Sequence, residues 1–115
     1  TNTTLDRNNL SSHHQNQSGG LSGRPLFEKS TRVLAQMRSA TNSQIDLIGV
    51  GGVSSAEDAY KKIRAGANAV QLYSALVYES LSLIPKIAIG LNDILIRDGF
   101  ENIKEAVGLD TEKWL

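Results

Sequence analysis

Hydrophobic positions fall into short periodic blocks from Pro25 onward, and before Pro25 they almost vanish. Leu26, Val33, Leu34 and Met37 stand at helical spacing, which predicts a helix ending near 39–42. Ile45, Leu47, Ile48 and Val50 follow as a compact, β-branched-rich run, the pattern of a strand buried in a parallel sheet. Ala56, Ala59, Tyr60 and Ile63 recur at i, i+3, i+4 and i+7, while Glu57 with Lys61 and Asp58 with Lys62 form acid-first i, i+4 pairs on the opposite side. That spacing predicts a surface helix over 55–65, opened by a capping box beginning at Ser54 and closed by Gly66. AVQLY at 69–73 reads as the next strand and SALVYES as a short helix behind it. Pro85 then fits the first turn of a longer helix whose core face is Ile84, Ala88, Leu91 and Leu95, ending at Asp98-Gly99. A last amphipathic turn or two carries Phe100, Ile103 and Val107.

Strands separated by helices imply right-handed parallel crossovers, hence an α/β fold. Two strands cannot form a stable parallel sheet alone, so the choice lies between an open doubly wound sheet and a closed (β/α)8 barrel. A short extra helix directly after one strand, with a glycine turn after the strand before it, is the arrangement of the phosphate site at barrel strands seven and eight. The expected fold is therefore the C-terminal part of a TIM barrel. It comprises the end of strand 6, strand 7 and helix 7 over 45–65, and strand 8 and helix 8 over 69–98. Residues 6–24 hold only Leu10 and Leu21 as apolar side chains and read as a long loop on the active-site face. A complete barrel takes about 250 residues. A chain of 115 that opens at Thr1 without a methionine is thus expected to be a piece, 1–115, of one larger barrel domain.

Composition removes several functions. With 12 basic and 12 acidic side chains nothing marks a nucleic-acid binder, and without cysteine there is no disulfide, thiolate zinc site or thiol catalysis. No apolar run approaches the roughly 20 residues that span a bilayer. The apolar run that ends in GVGGVSS, from Gly49, invites comparison with a dinucleotide fingerprint. Serine, however, takes the third small position, and Val70, Gln71 and Leu72 stand where a ribose-binding acid belongs. Two readings remain for this turn. It is a tight strand-to-helix connection using glycine for its dihedrals, or a cradle whose bare backbone lets an anion approach, with N–H groups of the Tyr73-Ser74-Ala75 turn converging on the same point. SGGLSGRP at 18–25 is a second glycine cluster, either a flexible loop or part of the same ligand face. Arg24 could meet a phosphate or cap the loop. His13 and His14 are adjacent, have no acid or cysteine nearby, and read as solvated loop residues, with no metal site. Trp114 reads as a packing anchor for the C-terminus.

TNTTLDR at 1–7, GGLSGRPL at 19–26, IGVGGVSSAEDAYKKIRAGA at 48–67 and VQLYSA at 70–75, taken in order, resemble the class 2, quinone-linked dihydroorotate dehydrogenases. The resemblance implies a barrel carrying FMN at its C-terminal face, oxidising dihydroorotate to orotate in pyrimidine biosynthesis with a quinone as acceptor. It implies that Thr1 contacts the flavin and that Asn2 and Thr3 hydrogen-bond the orotate ring. Gly23, Gly52, Tyr73 and Ser74 would bind FMN, the last three chiefly through backbone N–H groups around its phosphate. It also implies that the catalytic serine base, its lysine helper, and the segment that receives quinone and touches the bacterial or mitochondrial inner membrane all lie upstream of Thr1. No catalytic residue is then expected in this chain, which alone would be inactive and would have the rest of the barrel as its first partner. The sequence departs from the family pattern at Ala75, where glycine is common, and at Glu79-Ser80, where Gly-Pro is common. Two other functions stay in view: another FMN- or phosphate-binding barrel enzyme, and a non-catalytic half barrel that pairs with a separate chain.

Overall fold

The computed structural model describes residues 3–8 and 10–115. A 3-10 turn, Arg24–Leu26, leads into α1 (Phe27–Ala40), with Pro25 at its start where a missing N–H is harmless. Then come β1 (Ile48–Val50), α2 (Ala56–Arg64), β2 (Ala69–Gln71), α3 (Ser74–Glu79) and α4 (Leu83–Asp98). Two 3-10 turns, Ile103–Ala106 and Thr111–Trp114, complete the chain. β1 and β2 pair in parallel, Ile48 opposite Ala69 and Val50 opposite Gln71, with α2 as the crossover. The predicted order of elements is the observed one, but both strands are shorter than expected: Ile45 is half exposed ahead of the first, and the second stops at Gln71.

The pleat sends Gly49 and Val70 toward the helices and Ile48, Val50, Ala69 and Gln71 to the other face. On the helix side Val70 joins two clusters. One is built from Val53, Ala59, Leu83 and Ile87, the other from Tyr60, Ile63, Ile94 and Ala106. The other face is bare, and Ile48 is 60 % exposed on it. A parallel sheet covered on one side only is the geometry of a barrel segment whose interior faces outward here.

Two helix faces differ from expectation. In α4 the buried residues are Leu83, Ile87 and Ile94, with Leu91 partly buried, whereas Ile84 and Ala88 are exposed. LIPKIAIGLNDILI is apolar nearly all round, so spacing alone could not set its phase. Gly90 sets it: a Cβ there would stand 2.5 Å from that of Ala56, so this is the side on which α2 approaches. In α2, Lys62 is not a solvated partner of Asp58 but is fully buried, because α1 and β1 cover that flank.

The ends of α2 are closed from within. Ser55, not Ser54, is the N-cap, and its Oγ accepts from the Asp58 N–H at 3.1 Å; the Asp58 carboxylate in turn accepts from the N–H and hydroxyl of Ser54. The capping box is thus displaced by one residue. At the other end, Gly108 and Asp110 donate backbone N–H groups to the Ile63 and Arg64 carbonyls, and Thr111 Oγ1 donates to Ala65 O. Asp110 also receives two hydrogen bonds from the Arg64 guanidinium, which holds its carboxyl below the usual carboxylate range. Trp114 packs its ring edge-on against Phe27 at 6.4 Å and meets Leu34, Ala65 and Ala67, the anchoring expected of it. Buried Arg38 ties the end of α1 to the Gly66 carbonyl and Asn68.

Candidate functional site

Where β1 and β2 end, the chain turns twice beside one cavity of about 700 Å³. Its walls are Val50–Ser54 after β1, Gln71–Ala75 after β2, Leu21–Leu26 leading into α1, and Thr3, with Tyr78 and Glu79 of α3 at the edge. Five of the expected site residues, Thr3, Gly23, Gly52, Tyr73 and Ser74, line it together. Four separate stretches of sequence therefore meet at one place. Thr1 and Asn2 lie outside the described residues.

Gly51 and Gly52 both take left-handed conformations, φ +101 and +74. Their missing side chains do not face the cavity. A Cβ on Gly51 would meet Ser30 Oγ at 2.7 Å, and one on Gly52 would meet the Phe27 backbone nitrogen at 2.8 Å. What comes close to the bare side of this turn is the beginning of α1. Toward the cavity the turn presents main chain, and among the described residues no acceptor is recorded for the N–H groups of Gly52 and Val53. The first-turn N–H groups of Ser74 and Ala75 have no intrahelical acceptor either. Donors without a backbone acceptor thus occur in two turns that both line the cavity, a fit for an anionic oxygen cluster. The opening of α2 contributes less than its position suggests, because Ser54 and Asp58 satisfy each other. Tyr73, also on the wall, is 80 % exposed.

The described residues of 6–24 form a loop closed at its base, of which Leu10 and Leu21–Arg24 line the cavity. Thr4 and Leu21 bridge its base with paired hydrogen bonds of 2.9 and 2.7 Å, and the Arg7 guanidinium donates to the carbonyls of Gln17 and Gly19 at 2.7 and 2.6 Å. Gly23, at φ +90 with open space on its Cα, turns the chain from this loop into the cavity wall. Arg24 lines the cavity and forms no ion pair among the described residues. His14 pairs with Gln17 in the exposed loop, and no group of three metal-ligating side chains occurs among the described residues.

Sequence reasoning missed Lys62. Its Nζ donates to Ser30 Oγ at 2.6 Å and to Phe27 O at 3.3 Å and lies 4.7 Å over the Phe27 ring. Burial pulls its ammonium down to about 8, against smaller upward pulls from Asp58 and Glu28. The available signal was its place on the apolar stripe, three after Ala59 and beside Ile63.

The chain is similar to known proteins over nearly all its length. The sequence profile described as dihydroorotate dehydrogenase matches residues 1–95. A protein named dihydroorotate dehydrogenase (quinone) from Cereibacter sphaeroides is 58 % identical over 115 residues, all of this chain and 32 % of that protein. One named dihydroorotate dehydrogenase (quinone), mitochondrial, from Oryza sativa subsp. japonica is 53 % identical over 112 residues, 96 % of this chain and 24 % of the relative. The crystal structure of ligand-free DHODH from Eimeria tenella superposes with a TM-score of 0.91 at 41 % identity, covering 96 % of this chain and 31 % of that one. The chain spans about a third of the length of the curated relatives it matches. Its two βα units are part of a TIM barrel, and with a profile match across most of its length the chain belongs to the dihydroorotate dehydrogenase family.

Proposed function

We propose that this chain is the FMN-phosphate and orotate-contacting portion, strands seven and eight, of a quinone-linked dihydroorotate dehydrogenase of de novo pyrimidine biosynthesis. The observation that carries the reading is the meeting of Thr3, Gly23, Gly52, Tyr73 and Ser74 on one cavity, in a chain of this family. The backbone N–H groups of Gly52, Val53, Ser74 and Ala75 would bind the FMN phosphate, and a cavity of about 700 Å³ suits a ligand of that size. Thr1 would contact the flavin. Asn2 and Thr3 would hold the orotate ring, whose adjacent N–H and C=O groups match a side-chain amide and a hydroxyl. FMN, when bound, would accept the hydride from dihydroorotate and return the electrons to quinone.

This chain's residues then bind and orient. Removal of the proton from the neighbouring substrate carbon falls to a base outside it, a serine in the family resemblance. Leu10 and Leu21–Arg24 of the loop line the cavity and would limit water there. The remaining barrel strands would cover Ile48 and its neighbours on the bare face. No helix among the described residues is long and apolar enough to cross a membrane, and peripheral membrane contact is assigned to the region outside this chain.

The test uses the complete protein. Asn2→Ala should retain FMN yet lose about tenfold or more in orotate affinity, since deleting one partner of a buried ligand hydrogen bond costs on the order of 1–3 kcal/mol. Titrating orotate against flavin absorbance reads this directly. Flavin-free protein, or an unchanged orotate affinity in Asn2→Ala, would refute the assignment.

A further inference from the structure

The geometry points to a positioning role for Lys62: we infer that its buried ammonium, acting through Ser30, holds the Gly51–Gly52 turn and supplies a fixed positive charge behind the phosphate end of the cavity. The inference rests on the phosphate reading above and assigns the electrostatics of that site.

Lys62 is 0 % exposed and has no carboxylate within ion-pair distance among the described residues. Its ammonium is shared between Ser30 Oγ at 2.6 Å and Phe27 O at 3.3 Å, and the Ser30 hydroxyl divides its one proton between the Phe27 carbonyl at 3.1 Å and the Gly51 carbonyl at 3.3 Å. The charge is therefore one hydroxyl away from the turn that lines the cavity. Three glycines make the arrangement possible. A Cβ on Gly49 would stand 3.1 Å from the Lys62 Cβ and block the path of its stem along β1. Cβ atoms on Gly51 and Gly52 would strike Ser30 and Phe27, the two residues the ammonium holds.

The charged groups acting on Lys62 are Asp58 of its own helix and Glu28 of α1. Asp58 is occupied by Ser54, and Glu28 is exposed. β1 faces it with Gly49, and Trp114 of the C-terminal turn packs behind Phe27. A buried ammonium without a close carboxylate is costly, and an anion in the adjoining cavity offsets that cost. Phosphate and Lys62 therefore favour each other: the anion raises the lysine's proton affinity, and the protonated lysine raises affinity for the anion.

The experiment measures FMN and riboflavin binding to the complete apoenzyme by flavin fluorescence between pH 7.5 and 9.5, where the phosphate, with a second pKa of about 6, is already fully charged. FMN affinity should fall roughly tenfold across this range as Lys62 deprotonates, and riboflavin affinity should stay level. Lys62→Met should lose about tenfold in FMN affinity at pH 7.5, flatten the FMN profile and leave riboflavin unchanged. Ser30→Ala should weaken FMN in the same direction. A Lys62→Met protein with the wild-type FMN profile, or one losing both ligands equally, overturns the inference. Should Lys62→Met not fold, the wild-type pair decides: FMN preferred over riboflavin at every pH, with parallel profiles, overturns the role of Lys62 but not the phosphate site. FMN bound no better than riboflavin at any pH overturns the phosphate site and the inference together.

Discussion

Replacing Gly52 by alanine in the complete enzyme should destabilise it by about 2–5 kcal/mol, from two additive causes. The first is backbone conformation: φ is +74, and an L-residue held in the left-handed region costs about 1–2 kcal/mol. The second is contact. The new methyl would lie 2.7–2.8 Å from Phe27 Cβ, Cα and N, and most of that wall is main chain, which cannot rotate away. Overpacking of this kind adds about 1–3 kcal/mol. Gly99→Ala is the matched control, because Gly99 closes α4 at φ +79 and a Cβ there meets nothing within 4 Å. It should show only the conformational cost. Urea unfolding of both variants as flavin-free protein gives the comparison, with unchanged slope required for midpoints to be read as stability. Equal midpoints for Gly52→Ala and Gly99→Ala would refute the claim that the bare side of this turn is filled by α1.

Further expectations follow from the buried and bridging charges. Asp110→Ala removes both guanidinium contacts of Arg64 and should cost about 1–3 kcal/mol by chemical denaturation. Because Asp110 is held below its ordinary value, its contribution is present above the usual carboxylate pKa and is lost as pH falls through the depressed one, so the wild-type advantage should shrink in acid. Lys62 works in the opposite sense. A lysine held near 8 instead of 10.5 leaves the unfolded chain with more protons between those values, so stability should rise with pH there, by roughly 3 kcal/mol over the full window. Unfolding midpoints from pH 8 to 9.5 should show a rise that Lys62→Met lacks. Arg7→Ala should free the loop over 6–24 from its Gln17 and Gly19 carbonyl contacts and speed limited proteolysis within it, detected by mass spectrometry, while leaving the unfolding midpoint within about 0.5 kcal/mol of wild type.

Elements were legible where periodicity was strong and punctuated. α2 lies between Ser55 and Gly66, and both signals are local chemistry. Phase was not legible in α4, where apolar residues surround the axis and the choice of face came from Gly90 meeting Ala56. The displaced capping box shows the same limit: Ser54 and Ser55 are equivalent in sequence, and only Asp58, which can answer both, decides between them. Candidate site residues were legible through the resemblance, whose four motifs fall on the four stretches that meet at the cavity. Lys62 was not, since a lysine four residues after an acid has the ordinary appearance of a solvated pair. Its burial is set by α1, which contacts it from more than thirty residues away in sequence.

The glycines of the β1–α2 turn carry two functions on one main chain. Their bare Cα atoms admit α1, as Gly49 just before them admits the Lys62 stem, and the same turn lines the cavity with no acceptor among the described residues for the N–H groups of Gly52 and Val53. A side chain added at Gly52 therefore damages fold and ligand site together, and loss of flavin from a Gly52→Val protein would not by itself identify a phosphate contact. Lys62 is separable in a way the glycines are not. Its charge reaches the cavity through Ser30 without lining it, and methionine can fill much of the same volume without the charge. The ligand pair that differs only in a phosphate, FMN against riboflavin, therefore distinguishes an electrostatic contribution from a packing one, because a packing defect weakens both ligands and a missing charge weakens one.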